Sequence, residues 1–212
     1  MNKHSPYLSD IHSTLTEMYE RQQQYIDDKA SAEALSSTLI AELVNAKVQA
    51  VETSAREDIL ALCEKLKERA LRFAEASKDL VSQWDNSGST ELQNLFKLIE
   101  LNGKAITRSQ AISTAECIRG DYVSLAAVAG AYDKAKNVGA AEEIRKLMPD
   151  IGAAMQKMIE GAELVKGIAF VIDKLTRPYY ELCKALGHPY NPNEFENFFE
   201  MDQWRREAGL IN

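Results

Sequence analysis

From Ser31 to Asp85 the chain has neither Gly nor Pro, and its apolar residues recur with a 3-4-4 spacing. Val51, Leu62, Phe73 and Trp84 stand eleven positions apart, as do Val48, Ile59, Ala70 and Val81; Val44, Ala55, Leu66 and Ser77 form a third row. Eleven residues in three turns is close to the relaxed α-helical period, so this pattern predicts a nearly straight amphipathic helix. About 55 residues at 1.5 Å each would give roughly 80 Å of helix. Such a stripe cannot stay in water, so an earlier helix or a second chain must cover it. Val51, Ile59, Leu62, Leu66, Phe73 and Trp84 are the expected packing or oligomer face, with Leu62, Leu66, Phe73 and Trp84 buried together.

Upstream, Ser5-Pro6 is a helix start, with the hydroxyl as cap and the proline where its missing N–H costs nothing. Leu8, Ile11, Leu15, Met18 and Tyr25 then form a heptad-like stripe. The polar run Asp27 to Ser31 predicts a turn, although neither Gly nor Pro enforces it; one continuous helix is the rival. Asp85-Asn86-Ser87-Gly88-Ser89 is the clearest break. A helix over Thr90 to Asn102 follows, carrying Leu92, Leu95, Phe96 and Ile99, and Gly103 is placed as its left-handed cap.

Beyond it, shorter helices are expected, punctuated by Gly120, Gly139, Pro149, Pro178 and Gly187. Thr107 and Asp121 are placed as N-caps. Pro149 should open a longer helix with Met155, Met158, Ile159, Ala162, Val165, Ala169 and Ile172 inward. Gly152, Gly161 and Gly167 inside it imply close approach to a neighbour. The expected fold is therefore all-α. It comprises a long N-terminal helical hairpin or coiled coil (1–87), a compact helical bundle (88–187) and an aromatic, acidic C-terminal tail (188–212).

Charge and chemistry narrow the function. A net charge of -7 disfavours nucleic acid and anionic membrane surfaces. Cys63, Cys117 and Cys183 are odd in number and far apart, so buried, reduced thiols are expected in a cytoplasmic compartment. Neither they nor His4, His12 and His188 have metal-ligand spacing, so no zinc site is expected. The N-terminus shows no apolar signal core, and the longest apolar run, Gly167 to Ile172, stops at Asp173, short of a membrane span.

The carboxylate pairs Asp27-Asp28, Glu57-Asp58 and Glu142-Glu143 diverge by about 100° on a helix and read as solvated faces. Asn137-Val138-Gly139 lacks the glycine repetition and preceding strand of a phosphate loop. Lys65, Lys67, Arg69 and Arg72 alternate with Glu64, Glu68 and Glu75, as in salt bridges along one helix. No catalytic residue, metal, cofactor or small-molecule substrate is expected, and the chain does not read as an enzyme. In the tail, Phe195, Phe198, Phe199, Met201 and Trp204 are the candidate partner-binding cluster, suited to a groove on another protein. The competing expectation, which stands ahead of it, is packing on the protein's own body.

Two stretches carry a resemblance. One runs from Ile106-Thr107-Arg108-Ser109 to Arg119-Gly120-Asp121-Tyr122-Val123-Ser124-Leu125-Ala126-Ala127-Val128-Ala129. The other is the Tyr25…Ser31…Leu35…Ile40…Leu43 pattern. Both are similar to helical, mostly uncharacterised proteins encoded near the head genes of tailed phages of Gram-positive bacteria. The resemblance spans about half the chain and contains no diagnostic motif; the glycine-spaced helix after Pro149 and the aromatic tail depart from it. It implies a role in a phage particle or its assembly; with the uncovered apolar stripe and the reduced thiols, the expectation is a protein with protein partners and self-association, in the cytoplasm or the virion of an infected cell. The alternative is a stoichiometric inhibitor or adaptor that binds a host protein, such as an anti-defence protein.

Overall fold

The computed structural model describes residues 5–37, 39–80, 90–119, 121–168, 170, 172–191 and 194–195. Among these there is no strand, and they form eight α-helices. The first two are long, α1 (Ser5–Ala34) and α2 (Ala41–Leu80). They are followed by α3 (Thr90–Asn102), α4 (Arg108–Ala115), α5 (Tyr122–Lys134), α6 (Val138–Lys146), α7 (Ile151–Glu163) and α8 (Asp173–Ala185). The all-α class holds, with two long helices packed together ahead of a helical bundle.

The turn expected at Asp27 to Ser31 is absent; α1 runs through it to Ala34. Ala30, Ala32 and Ala34 are strong helix formers, and Lys29 pairs with Glu33 one turn on. The chain breaks instead at Leu35–Ser37, a single 3-10 turn. Helix α2 therefore begins ten residues later than expected, and its 40 residues span about 60 Å.

The described residues pack as two compact units that interleave along the chain rather than following the linear division at 87 and 187. One unit contains Phe73–Ala153 and Glu181–Tyr190; the other contains Pro6–Arg72 and Ala154–Tyr180, with Asn191, Glu194 and Phe195. In the first, α3 to α6 enclose a core of Leu92, Leu95, Ile99, Leu125, Val128 and Tyr132, closed by alanines and Ile144. The expected caps form: Thr107 closes a reciprocal capping box with Gln110, and Asp121 accepts from the Ser124 N–H. Asn137 has a role that its sequence did not disclose. Its Oδ1 caps α6 at Ala140, while its amide nitrogen donates to the carbonyls of Gly103 and Ile106, both at 2.7 Å.

Three glycine and proline expectations change. Gly103 is not a left-handed cap; it opens a 3-10 turn and is buried so tightly that a Cβ would lie 2.8 Å from that of Ala135. Helix α7 stops at Glu163 rather than reaching Ile172, so Gly167 lies outside any helix. Pro178 interrupts nothing; it sits inside α8. A proline there cannot donate to the carbonyl of Lys174 four residues back. That same carbonyl lies against Gly161 of α7, where a Cβ would sit 3.1 Å from it and 2.9 Å from Leu175 Cδ2. The close approach expected of the α7 glycines is thus made by Gly161.

Candidate functional site

In the second unit α1 and the part of α2 up to Arg72 pair as an antiparallel hairpin, and their charged residues record the pairing. Arg21 Nε meets Asp58 at 2.7 Å, Lys65 Nζ meets Glu17 at 2.6 Å, and the Arg72 guanidinium lies over the Tyr7 ring. Between the last two, Arg69 donates to the Asp10 carbonyl and, at 2.6 Å, to the Thr14 hydroxyl. So Lys65, Arg69 and Arg72 do not bridge along their own helix, as the sequence suggested; they reach across to α1. Lys67 alone of the four keeps the expected partner, Glu64. The bond from Lys65 holds the Glu17 carboxyl below its ordinary range.

Along the base of the hairpin α1 buries Leu8, Ile11, Leu15, Met18 and Gln22, a regular heptad. Its last slot is polar. The Gln22 amide nitrogen donates to the Ile168 carbonyl at 2.5 Å in the segment joining α7 to α8, while its Oε1 is buried with no partner. Helix α2 answers with Ile59, Cys63, Leu66 and Ala70, all buried. The central row of its eleven-residue pattern is Val44, Ala55, Leu66 and Ser77, every member of which is buried. Val51 and Leu62 are half-buried at the margins, Leu66 and Phe73 are buried, and Trp84 lies outside the described residues. Leu62 thus lines the edge of the seam. It borders a shallow, open groove of about 400 Å³ with Glu17, Glu20, Arg21, Gln24 and Asp58.

The distal half of the hairpin differs. Over 41–58 α2 buries only Val44 and Ala55, with Val48 and Val51 half-covered; its other residues there are exposed. On the facing part of α1 beyond Gln22, Ala32 alone is buried. This stretch is a two-helix arm packed along one line. At its tip Ile40 is 65% and Leu43 51% exposed, with Leu35 and Leu39 half-buried alongside. Sequence reasoning missed this tip, although a signal existed: Leu43 adjoins Val44 and cannot share the 44-48-51-55 face.

The tail contributes one described member of its aromatic cluster. Phe195 is 5% exposed, with its ring centroid 6.1 Å from Tyr19, 6.2 Å from Tyr180 and 6.1 Å from His12. Next to it Glu194 meets His12 Nε2 at 2.8 Å. Phe195 is therefore packed in cis; Phe198, Phe199, Met201 and Trp204 lie outside the described residues.

Among the described residues no three His, Cys, Asp or Glu side chains converge as a metal site. The cysteines are free thiols, but Cys117 is exposed, contrary to the expectation that all three are buried. Burial pushes the Cys63 thiol up to about 11, which makes it a poor nucleophile. No helix among the described residues is long and apolar enough to cross a membrane. Comparison with protein families, curated proteins and solved structures found no match.

Proposed function

We propose that this chain is a non-enzymatic interaction protein that acts by holding another protein, in the assembly of a larger particle. The observation that carries the reading is the two-helix arm. Folding leaves Ile40 and Leu43 exposed at the end of a helix pair that buries three side chains beyond Gln22 among the described residues. Exposed apolar groups gathered at one place on a surface are a feature of association sites. A phage structural or scaffold-like role, in the cytoplasm or the virion of an infected cell, agrees with this arrangement and with the resemblance in the sequence. The inhibitor or adaptor reading draws on the same tip, since a narrow apolar hairpin end is shaped to plug a cleft on a host protein.

The test is a photo-crosslinking scan in the producing cell, with the reactive amino acid placed in turn at exposed positions 43, 50, 60, 71, 98 and 101. The reading expects discrete protein adducts from a contiguous subset of positions. Light scattering and small-angle scattering then separate self-association from capture of a different protein. A strictly monomeric chain that forms no protein adduct at any position would remove the interaction reading altogether.

A further inference from the structure

Two exposed surfaces of opposite charge stand on this chain, one in each unit. The first gathers where the turn between α3 and α4 meets the turn between α5 and α6. Asn137 donates to the Gly103 and Ile106 carbonyls, and Gly103 lies tight against Ala135. Residues 101–110 and 134–141 are thereby brought together, and they carry four cations, Lys104, Arg108, Lys134 and Lys136, with no carboxylate. All four are exposed, and none makes a side-chain hydrogen bond or ion pair among the described residues. Beside them Leu101 is 80% and Val138 59% exposed. Lys104 and Lys134 suit the ends of α3 and α5, but Arg108 opens α4 and lies across Gly139 in the first turn of α6. A cation is disfavoured at both of those places. Its charge acts on Glu143, yet that carboxylate is already bonded to Lys146 at 2.9 Å. Widening the stretches to 97–110 and 130–146 adds Lys97, Arg145 and Lys146 and also Glu100, Asp133, Glu142 and Glu143. The surround still carries +3, in a chain of -7.

The second surface is the outward side of α2. Glu57, Leu60, Glu64, Glu68 and Leu71 fall within an arc of about 80° on that helix, on the side away from Leu66. Their spacing repeats the eleven-residue period of the seam, Glu57 with Glu68 and Leu60 with Leu71. All five are exposed. The cations of residues 57–72 are committed: Lys65, Arg69 and Arg72 reach α1, and Lys67 bonds Glu64. Arg56 falls outside the arc. Glu57 and Glu68 have no ion-pair partner among the described residues.

Resting on the interaction reading above, we infer that the basic patch of one copy docks on the acidic, leucine-bearing side of α2 in a second copy. Lys104, Arg108, Lys134 and Lys136 face the carboxylates, and Leu101 and Val138 meet Leu60 and Leu71. The charges orient the two surfaces, and the aliphatic side chains are covered between them. Because two different surfaces join, the contact is head-to-tail, and repeated addition closes a ring or grows a filament. A lipid plane or a phosphate backbone is a poorer occupant. Glu100, Asp133 and Glu142 border the patch and would face a broad polyanion, whereas a single helix touches the cationic strip alone.

The test is sedimentation velocity and light scattering of the full chain over a range of concentrations at two salt strengths. The mass should grow with concentration at low salt and fall back as salt is added. K104E/K136E and E57K/E68K should each weaken association by at least about tenfold. Mixed together, the two variants should associate again, because the basic patch of one meets the acidic helix of the other. Leu101→Ser should weaken association as well. K47Q/K157Q, which removes two exposed cations outside both surfaces, should change nothing. All of these side chains are exposed, so circular dichroism should show every variant folded. A chain that stays monomeric at low salt overturns the inference, as does a mixture of the two charge-reversal variants no more associated than either alone. Phosphatidylserine vesicles that bind a monomeric chain through Lys104 and Lys136 also overturn it, since a lipid surface is then the occupant. In the crosslinking scan, positions 60, 71, 98 and 101 should yield adducts between two copies. Adducts to a different protein from position 43 alone leave the interaction reading standing and defeat this inference.

Discussion

Leu66→Ala is the sharpest test of the seam between α1 and α2. Leu66 is 0% exposed at the centre of the row Val44, Ala55, Leu66, Ser77. The substitution removes three carbons, worth about 2.4 kcal/mol at roughly 0.8 per buried group. A residual cavity raises this to about 3–5 kcal/mol, because a close-packed helical seam collapses only in part. Leu71 provides the matched control: the same residue type, on the same helix, 52% exposed. Leu71→Ala should cost well under about 1 kcal/mol, helped by alanine's higher helix propensity. Urea unfolding followed by ellipticity at 222 nm gives both midpoints, compared at a common slope. If Leu66→Ala cost less than about 1 kcal/mol, or if the two variants fell within about 0.5 kcal/mol of each other, the burial pattern assigned to α2 would be wrong.

Four further outcomes are expected. Gly161→Ala should destabilise the chain, since its Cβ meets the Lys174 carbonyl, whereas Gly130→Ala, with open space around it, should stabilise by about 0.5–1 kcal/mol; thermal melts compare them. Phe195→Ala should lower stability by about 3 kcal/mol in chemical unfolding, where a pure docking role would leave it unchanged. In thiol titration Cys117 should react at once in the native chain and Cys63 only after unfolding. The folded Cys63 thiol holds its proton to about 11 against an ordinary 9.0, so the unfolded chain ionises first; stability should be full below pH 9 and fall as pH rises toward 11, a decline that Cys63→Ala removes.

The residue pattern made some features legible and concealed others for physical reasons. The stripe on α2 was readable because burial imposes its period directly; Val44, Ala55, Leu66 and Ser77, the row that the 3-4-4 spacing drew, are all buried. The caps Thr107 and Asp121 were readable because a cap acts on backbone three residues away. The position of the hairpin turn was not, since Asp27 to Ser31 and Leu35 to Thr38 are both polar and the competition is settled by alanine content and an ion pair. Pro178 and Gly103 were misplaced for a related cause: each takes its role from a neighbour distant in sequence. Charge partners were hidden in the same way. The carboxylates beside Lys65 on its own helix do not engage it, while Glu17, 48 positions away, does.

The sparse seam of the arm also sets where the molecule opens. Local opening costs roughly what the segment's tertiary contacts contribute, and beyond Gln22 the buried side chains among the described residues are Ala32, Val44 and Ala55, none larger than valine. Amide protons of residues 24–34 and 41–56 should therefore exchange through a shared, low-energy fraying event, well before those of residues 59–70. A partner that grips the tip binds only the closed form, and it would raise the protection of both arm helices together by an amount set by its own affinity and concentration. Hydrogen exchange along the arm would then report occupancy of the tip from amides that the partner never touches.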